Sequence, residues 1–390
     1  MIYFAEGLLV KVCIVSRSLS EDYRGSFEFD QAMCLRNAGH DVYFISLDLR
    51  SLLRKRKLGI SRIEEKGIKI TRISIPLGAI NKRVFYYVAT KFFKKVFEKE
   101  NHKAKGFDVV HAHFLDNIYI TLKALCGAKE RPIVVGTEHT DVTRIEAYKH
   151  DTFMKNVIHF SYTEVDKLIT VSKSLECILK NTYGVKGDII YNVVDTSQFR
   201  YDDNISKSDR EKIVFCSVGN LTPNKRMDML IKCFYEAFQN DDKYMLYICG
   251  DGEEYGSLIN LVKNFKCEKN IKLLGNVSRT KIRDVFNESD YFILLSQKET
   301  FGVAYIEAMA CGLPVMSTYS GGPEEFITED VGILVNDNEE QIVSEMKNIA
   351  SGKYCYDRKR ISGYVYENFS PTVIADKLVN IYLKAIEDRK

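Results

Sequence analysis

The sequence predicts an α/β protein built from two Rossmann-like, doubly wound domains that face a central cleft. Apolar runs of strand length alternate with segments of helix length along the whole chain, as in parallel sheets covered by helices. At 390 residues the chain is too long for one compact core, and it suits two domains of about 200 residues each. The polar stretch at 200–212 marks the linker. We predict domains at 1–200 and 201–370, followed by a helix at 371–390.

The first domain is predicted to contain seven strands, read from apolar runs that fit strands buried on both faces. The segment before the first run is apolar, but it has no basic leader and no cleavage-like site, so it does not indicate a signal peptide. The predicted strands are 12–16, 41–46, 68–74, 109–113, 133–139, 168–172 and 188–194.

The second domain is predicted to contain six strands, at 213–219, 244–250, 271–277, 291–296, 314–318 and 332–335. After the fourth of these, the pattern changes to a helix that runs from Phe301 through Ala310. Gly312 ends this helix and Pro314 prevents its continuation.

Two glutamates bracket the start of that helix. Seven residues separate Glu299 from Glu307, which places the first before the helix and the second about two turns inside it. The free N–H groups at 300–303 and the helix dipole attract phosphate, and Gly302 permits close approach. Carboxylates accept hydrogen bonds from hydroxyls. A nucleotide sugar, with phosphates in the middle and hydroxylated rings at both ends, suits this layout.

The residues around the two glutamates occur in a fixed order: Phe-Gly after the first, Glu-Ala-Met-Ala-Cys-Gly-Leu-Pro from the second, and Ser-Gly-Gly-Pro-Glu-Glu at 320–325. This stretch resembles the Glu-x7-Glu motif of the retaining glycosyltransferases of family 4, which have the GT-B fold. The resemblance implies transfer of a sugar from a nucleotide diphosphate donor to a hydroxyl of a glycan or lipid-linked acceptor, with retention of configuration. It also implies that no metal and no other cofactor is needed, and that the last helix crosses back onto the first domain.

The resemblance assigns roles to several residues. In VGNLTPNKRMDMLIKCF, Lys225 stands where the family binds the donor diphosphate. Glu299 would hold hydroxyls of the sugar, and Glu307 the ribose. The resemblance also assigns further donor-binding positions, namely Gly25, Gly250, Val277, Phe301, Gly302 and Val303.

The chain departs from the family pattern at three positions. Asn220 stands where the family has Arg, so half of the usual cationic clamp is missing. Arg226, Arg24 and Arg17 are the candidates to replace it, and we assign Arg226 to donor binding. The second glycine of the first loop is Ser26, and Val193 occupies a further glycine position.

His139, at the end of a predicted strand, is the third candidate catalytic residue. A histidine there can donate a hydrogen bond to the transferred sugar or orient the acceptor, although a lone histidine is more often structural. A glycine-rich loop that resembles a dinucleotide-binding loop contains Gly250, Gly252 and Gly256. Its spacing, however, is GxGxxxG instead of GxGxxG, and no acidic residue ends the next strand. Hydride transfer is therefore disfavoured.

Residues 51–110 contain 16 Lys and Arg and 5 Asp and Glu, which gives this segment a net charge of 16 − 5 = +11. Basic residues alternate with aromatics at 81–97, so residues 51–97 are a candidate surface for peripheral contact with an anionic membrane. An amphipathic helix with its aromatics in the core is an equally good interpretation. Nucleic acid is not expected as a partner, because no binding motif is present.

Ten cysteines show no paired spacing and no zinc motif, so they are interpreted as reduced thiols of a cytoplasmic protein. No apolar run reaches the roughly 18 residues that span a bilayer. The resemblance predicts glycosyl transfer in cell-surface polysaccharide synthesis, and we expect the protein in the cytoplasm or on the inner face of the cell membrane. The alternatives are a sugar-nucleotide epimerase of the same fold, a phosphorylase, disfavoured because no pyridoxal phosphate lysine is evident, and a catalytically silent partner of a transferase.

Overall fold

The computed structural model describes residues 9–17, 27–49, 58–75, 77, 80–128, 130–140, 142–202, 211–239 and 241–389. Gly25, which was predicted to bind the donor, and Arg24 and Ser26 lie outside these residues. The chain divides into two compact units. The first comprises the residues up to Val193 together with those from Pro371 onward, and the second comprises Val194–Ser370.

The division falls slightly before residue 200, where the sequence places the boundary. The backbone N–H of Val194 donates to the carbonyl of Phe369 at 3.0 Å. The ring centroids of Phe199 and Phe286 are 6.0 Å apart. Both partners belong to the second unit, so these contacts tie residues 194–199 to it.

The strands of the first unit form one eight-stranded sheet. Its order is β3-β4-β2-β1-β5-β6-β7-β8, and every pair is parallel except β3 with β4. The two-residue β8 is much shorter than the strand predicted at 188–194. The strands, numbered in chain order, are β1 (Lys11–Arg17), β2 (Asp41–Asp48), β3 (Gly59–Glu65), β4 (Ile68–Ser74), β5 (Val109–His113), β6 (Ile133–Glu138), β7 (Lys167–Thr170) and β8 (Asp188–Ile189).

The helices of the first unit include the last helix of the chain, α13. It packs against α1 in a core cluster that contains Phe29 and Leu35 from α1 and Leu378 and Tyr382 from α13. Side-chain caps fix several starts; Asn81, for example, accepts from the N–H of Arg83 at 2.9 Å before α2. The helices are α1 (Phe27–Asn37), α2 (Lys82–Lys103), α3 (Leu115–Leu125), α4 (Val142–Tyr148), α5 (Thr152–Thr163), α6 (Lys173–Tyr183) and α13 (Pro371–Arg389).

Strand β3 was not predicted from the sequence. Six of its seven residues are exposed, so the burial alternation that marks a strand is absent. The strand forms because Lys66 and Gly67 both adopt positive φ, 47° and 74°, the geometry of a two-residue hairpin turn. This turn pairs β3 antiparallel with β4, with Ile63 opposite Ile70.

The second unit has a six-stranded sheet in which all pairs are parallel, with the order β11-β10-β9-β12-β13-β14. All six predicted strands are confirmed, five of them with shorter ends. The strands are β9 (Ile213–Val218), β10 (Tyr244–Cys249), β11 (Ile271–Gly275), β12 (Tyr291–Leu294), β13 (Val315–Thr318) and β14 (Gly332–Val335). The helices are α7 (Met227–Phe238), α8 (Tyr255–Asn264), α9 (Arg279–Glu288), α10 (Val303–Ala310), α11 (Glu339–Ala350) and α12 (Arg358–Phe369).

Strand order in the second unit reverses between β9 and β12. The chain proceeds from β9 outward through β10 to β11, then returns to add β12 on the other side of β9. In open α/β sheets, ligands bind outside the carboxyl ends of the strands at such a reversal. The loops that follow β9 and β12 are therefore the place to look for a site.

Candidate functional site

Lys225 and Glu299 meet at the carboxyl ends of β9 and β12. Lys225 ends a short 3-10 helix, Pro223–Lys225, after β9, and Glu299 lies in the loop after β12. The ammonium of Lys225 donates to Oε1 of Glu299. Ser296 Oγ donates to the same oxygen at 2.7 Å. The tertiary structure thus joins two residues that the sequence singled out separately.

Asn224, which sequence reasoning missed, fixes the loop that carries Glu299. Its side-chain amide donates to the carbonyl of Lys298 at 2.9 Å and accepts from the N–H of Lys298 at 3.1 Å. Its own carbonyl accepts from the N–H of Gln297 at 2.9 Å. An amide side chain can make this paired contact because it has both a donor and an acceptor.

The backbone of Glu299 is also held from the other side, by the loop after β13. Its N–H donates to Ser320 at 2.8 Å, and its carbonyl accepts from Gly322 at 2.9 Å. A Cβ on Gly322 would lie 2.5 Å from Cα of Phe301, so only glycine permits this approach. Glu299 therefore sits in a segment with little freedom, as a precise ligand contact requires.

Helix α10 begins at Val303, two residues later than predicted. Gly302 precedes it in the left-handed region, at φ 98°, where glycine is favoured. The side chain of Phe301 is buried against the rings of Phe326 and Phe369, at centroid distances of 5.2 and 6.0 Å. Any contact of Phe301 with a donor would therefore be made by its backbone.

Glu307 lies in the second turn of α10 and is paired with Arg279, another residue that the sequence did not single out. Arg279 Nη2 is 2.9 Å from Glu307 Oε1. Both side chains are mostly buried, at 14% and 12% exposure. The Arg279 guanidinium lies 5.1 Å from the ring centroid of Phe199. Because both side chains are largely shielded from water, the attraction between the two charges is stronger than in an exposed ion pair, and it fixes the position of the Glu307 carboxylate.

Gly250 allows the loop after β10 to pack closely on the loop after β9. It has φ 148°, and a Cβ there would lie 1.9 Å from the carbonyl oxygen of Gly219. A Cβ on Gly252 would lie 2.4 Å from the carbonyl oxygen of Leu221. These glycines allow the loop after β10 to pack on the loop after β9, which accounts for their spacing without a dinucleotide. Val277 is half-buried between β11 and α9.

The two described candidates for the missing cation are already engaged. Arg226, in the left-handed region at φ 52°, donates to Asp337 Oδ1 at 2.5 Å. Arg17, in the first unit, has its guanidinium carbon 3.7 Å from the ring centroid of Phe114. Asn220 is exposed. The assignment of Arg226 to donor binding therefore requires it to exchange Asp337 for the ligand.

His139 follows β6 in the first unit and belongs to a row of histidines. His139 Nε2 is 2.9 Å from His113 Nδ1, and the rings of His113 and His111 stack at 4.4 Å. Burial holds the pKa of His139 well below its usual range, and His111 and Arg17 lower it further. His139 is thus neutral near pH 7 and can donate or accept a hydrogen bond.

The side chains that hydrogen-bond to His111 lie on helix α13 and strand β6. His111 Nδ1 is 2.7 Å from the hydroxyl of Tyr382 on α13, and its Nε2 is 2.6 Å from Thr137 Oγ1. Within the described ranges, His139 Nδ1 has no hydrogen-bond partner, although it is buried. Glu138 fixes the backbone of the loop by accepting from the N–H of His139 at 2.9 Å.

The buried histidines predict a loss of stability in acid. Burial lowers the pKa of His111 to about 3. Below pH 6.5 this histidine is therefore protonated in the unfolded chain but stays neutral in the folded one, which lowers the free energy of unfolding. From pH 7.5 to 5.5, His111 should cost about 1.4 kcal/mol. Urea unfolding at both values should show a smaller difference for His111→Asn than for the parent. His159→Asn, at an exposed position, is the control, and equal pH effects in both variants would contradict the prediction.

Among the described residues, no group of three or more His, Cys, Asp or Glu is placed to hold a metal ion. All ten cysteines are free thiols, and seven of them are buried.

Comparison with known proteins identifies the family. The model of the family "Glycosyl transferases group 1" matches residues 199–368, which contain Lys225, Glu299 and Glu307. The model of "Glycosyltransferase Family 4" matches residues 29–198. The chain belongs to the group 1 glycosyltransferases. Its two units therefore carry the two halves of one glycosyltransferase sequence.

Two curated relatives of this glycosyltransferase carry the N-acetylglucosaminyl group in their names. The N-acetyl-α-D-glucosaminyl L-malate synthase of Bacillus anthracis is 29% identical over 385 residues, covering 91% of this chain and 92% of that protein. The GPI3 subunit of the phosphatidylinositol N-acetylglucosaminyltransferase of Saccharomyces cerevisiae (strain YJM789) is 27% identical over 188 residues, 46% of this chain and 42% of that protein.

Solved structures confirm the GT-B fold. The sucrose-phosphate synthase of Thermosynechococcus elongatus superimposes with a TM-score of 0.78 at 16% identity, covering 97% of this chain and 100% of that one. The Anabaena protein HepE, solved in complex with UDP-glucose, gives a TM-score of 0.69 at 16% identity, with coverage of 95% and 99%. At these identities the likeness concerns the fold.

Proposed function

We propose that this glycosyltransferase moves a sugar from a nucleotide diphosphate donor to a hydroxyl of a glycan or lipid-linked acceptor, with retention of anomeric configuration and without a metal. The contact between Lys225 and Glu299 carries the proposal. It brings a cation together with a carboxylate, which can accept hydrogen bonds from hydroxyls, at the strand reversal and just before the start of α10. A diphosphate bound to a sugar needs both groups within one short span.

In the proposed reaction the bond between the anomeric carbon and the diphosphate oxygen breaks, and the acceptor oxygen bonds to the same face of that carbon. Lys225 and the N–H groups at Gly302 and Val303 offset the charge that develops on the departing diphosphate. An oxygen of that diphosphate takes the proton of the acceptor hydroxyl. Glu299 holds sugar hydroxyls, so it acts as a ligand and no glutamate acts as a base.

The remaining contacts are proposed as follows. Glu307, oriented by Arg279, accepts hydrogen bonds from the ribose hydroxyls. The backbone at Gly250 and Val277 lies against the nucleotide. His139 hydrogen-bonds to the transferred sugar or orients the acceptor.

The named relatives suggest which substrates to test first. Both carry the N-acetylglucosaminyl group in their names, and HepE was solved with UDP-glucose. We therefore propose UDP-N-acetylglucosamine as the first donor. L-malate enters the acceptor panel because the malate synthase match covers 92% of that protein. A role in cell-surface polysaccharide synthesis, in the cytoplasm or on the inner face of the cell membrane, remains our proposal for the glycan acceptors.

A donor panel tests the proposal. Purified protein is incubated with UDP-, GDP- and ADP-sugars, and nucleotide release is measured with and without each acceptor. We expect acceptor-dependent release from one nucleotide, and strong loss of release in Glu299→Ala and Glu307→Ala. Glu268→Ala, at an exposed position of the same unit, is the matched control. The anomeric configuration of the product, measured by NMR, tests retention.

The alternatives give different results in the same assay. A sugar-nucleotide epimerase would convert the donor without any acceptor and leave no glycosylated product. A silent partner subunit would turn over no donor at all. Parental rates in both glutamate variants would show that the proposed site is wrong.

Replacing Asn224 with alanine should lower the transfer rate while leaving the fold intact. The change removes the two side-chain hydrogen bonds to Lys298, so Glu299 is held less firmly. Misplacement of a positioned group typically costs on the order of 10- to 100-fold in rate. The kcat and the melting temperature are measured together. A parental kcat, or a lowered kcat explained wholly by unfolding, would contradict this role.

A further inference from the structure

Large apolar side chains that face solvent are concentrated in one stretch of the first unit. In the part of the chain that the structure describes, eleven large hydrophobic residues are exposed, and seven of them fall within residues 58–92. Such side chains scattered singly need no explanation, whereas a concentration of them indicates an interaction surface. These seven are Leu58, Ile60, Ile63, Ile80, Val84, Tyr87 and Phe92.

The same stretch holds the surplus of positive charge. Residues 51–110 carry 16 Lys and Arg against 5 Asp and Glu, a net of +11, so the other residues of this +3 chain sum to 3 − 11 = −8. Residues 51–57 lie outside the described part of the chain, but the described stretch from residue 58 to 110 still carries 12 Lys and Arg against 5 Asp and Glu, a net of 12 − 5 = +7. Exposed apolar groups and positive charge therefore coincide in this described stretch of an otherwise acidic protein. Exposed apolar groups alone, or positive charge alone, would suit many kinds of binding partner. The combination favours a partner that offers both negative charge and apolar surface.

Helix α2 organises these groups on one face. Its inner face is apolar and buried, and α3 packs against it. The opposite side exposes Val84, Tyr87 and Phe92, at 51%, 65% and 49%. At 22 residues the helix is about 33 Å long. Its buried residues are Tyr86, Ala89, Phe93, Val96 and Phe97.

The lysines on the exposed side are only partly neutralised. Lys94 Nζ is 3.9 Å from Glu98 Oε1. Glu100 forms ion pairs with Arg62 and Lys103. Lys95 and Lys99 are exposed and have no acidic partner among the residues described. Positive charge is thus available beside the exposed aromatics.

We infer that the outer face of α2, defined by Val84, Tyr87, Lys91, Phe92, Lys95 and Lys99, docks on the anionic surface of a lipid bilayer. The lysines attract anionic headgroups, and the exposed aromatic and aliphatic side chains enter the boundary between headgroups and acyl chains. Among the described residues, no helix is both long and apolar enough to span a membrane, so this contact is peripheral. An acidic protein would match the charge, but it would not by itself account for the exposed apolar groups.

Vesicle sedimentation with the full-length protein tests the inference. Vesicles of phosphatidylcholine alone are compared with vesicles that also contain phosphatidylglycerol, at low and high salt. We expect binding only to the anionic vesicles, and weaker binding at high salt. The triple variant Lys91→Gln, Lys95→Gln, Lys99→Gln should bind on the order of 100-fold more weakly. The variant Tyr87→Ser, Phe92→Ser should also lose binding.

The matched control removes three exposed lysines from the second unit, Lys263→Gln, Lys266→Gln and Lys269→Gln, and should bind as the parent does. No binding, equal binding to neutral vesicles, or equal loss in the control would overturn the inference. Parental binding by Tyr87→Ser, Phe92→Ser would also overturn it, because the contact would then be purely electrostatic, and would favour an acidic protein partner. Vesicle binding needs no sugar donor, so its failure would leave the proposed transfer reaction untouched.

Discussion

Replacing Lys225 with alanine is expected to reduce the rate of sugar transfer by about 100- to 1,000-fold. In the proposed reaction Lys225 stabilises charge that develops on the departing diphosphate, and removing one such preorganised donor typically costs this much in kcat. We expect the effect to be large because Asn220 stands where the resemblance to the family implies an arginine, so less positive charge is left. Initial rates with saturating donor and acceptor measure the loss, and KM is determined in the same series.

The matched control for this prediction is Lys232→Ala. Lys232 lies on α7, is exposed and pairs with Asp228 at 3.0 Å, so its removal takes the same charge from the same unit at a distance from the site. It should leave kcat unchanged. If Lys225→Ala raises only KM, Lys225 binds donor and transition state equally and the proposed role in leaving-group stabilisation is wrong.

Replacing Gly250 with alanine is expected to destabilise the protein by more than about 3 kcal/mol. The added Cβ would lie 1.9 Å from the carbonyl oxygen of Gly219, which is backbone and cannot swing away. The φ of 148° also disfavours any residue with a Cβ. Effects above about 4 kcal/mol come from a few mechanisms, and backbone strain at a special glycine is one of them. Urea unfolding and the yield of folded protein measure the change.

Gly256→Ala is the control for this substitution. Gly256 lies in α8, and a Cβ there would meet nothing within 4 Å. Alanine should therefore be neutral or stabilise the helix by up to about 1 kcal/mol. Equal stability of the two variants would show that the loops after β9 and β10 do not pack as described.

Much of the fold was predictable from the sequence because buried parallel strands form continuous apolar runs. All six strands of the second unit were predicted, and those of the first unit were predicted with the exception of β3. That strand lies at the edge and is exposed, so nothing in its hydrophobic pattern distinguishes it from a loop. Its turn residues, Lys66 and Gly67, were the available signal.

The candidate site was predictable at the positions where a residue type is tied to a local motif. Glu299 and Glu307 follow from a helix-start pattern within one short segment, and Lys225 follows from the resemblance of another short segment to the family. Asn224 and Arg279 were missed because each acts on a residue that is distant in sequence. An asparagine in a turn has no local feature that reveals a bond to a loop 74 residues further along.

The sequence by itself determined the alternation of strands and helices, the helix that starts beside Gly302 and the positive charge of residues 51–110, because each of these depends on residues close together in the chain. Only the tertiary structure decided that Lys225 contacts Glu299, that Arg279 orients Glu307, and that the apolar and basic groups of α2 share an exposed face. Parallel strands bring distant loops to one edge of a sheet, and burial selects one face of a helix. Both depend on packing across the chain, which local sequence patterns do not specify.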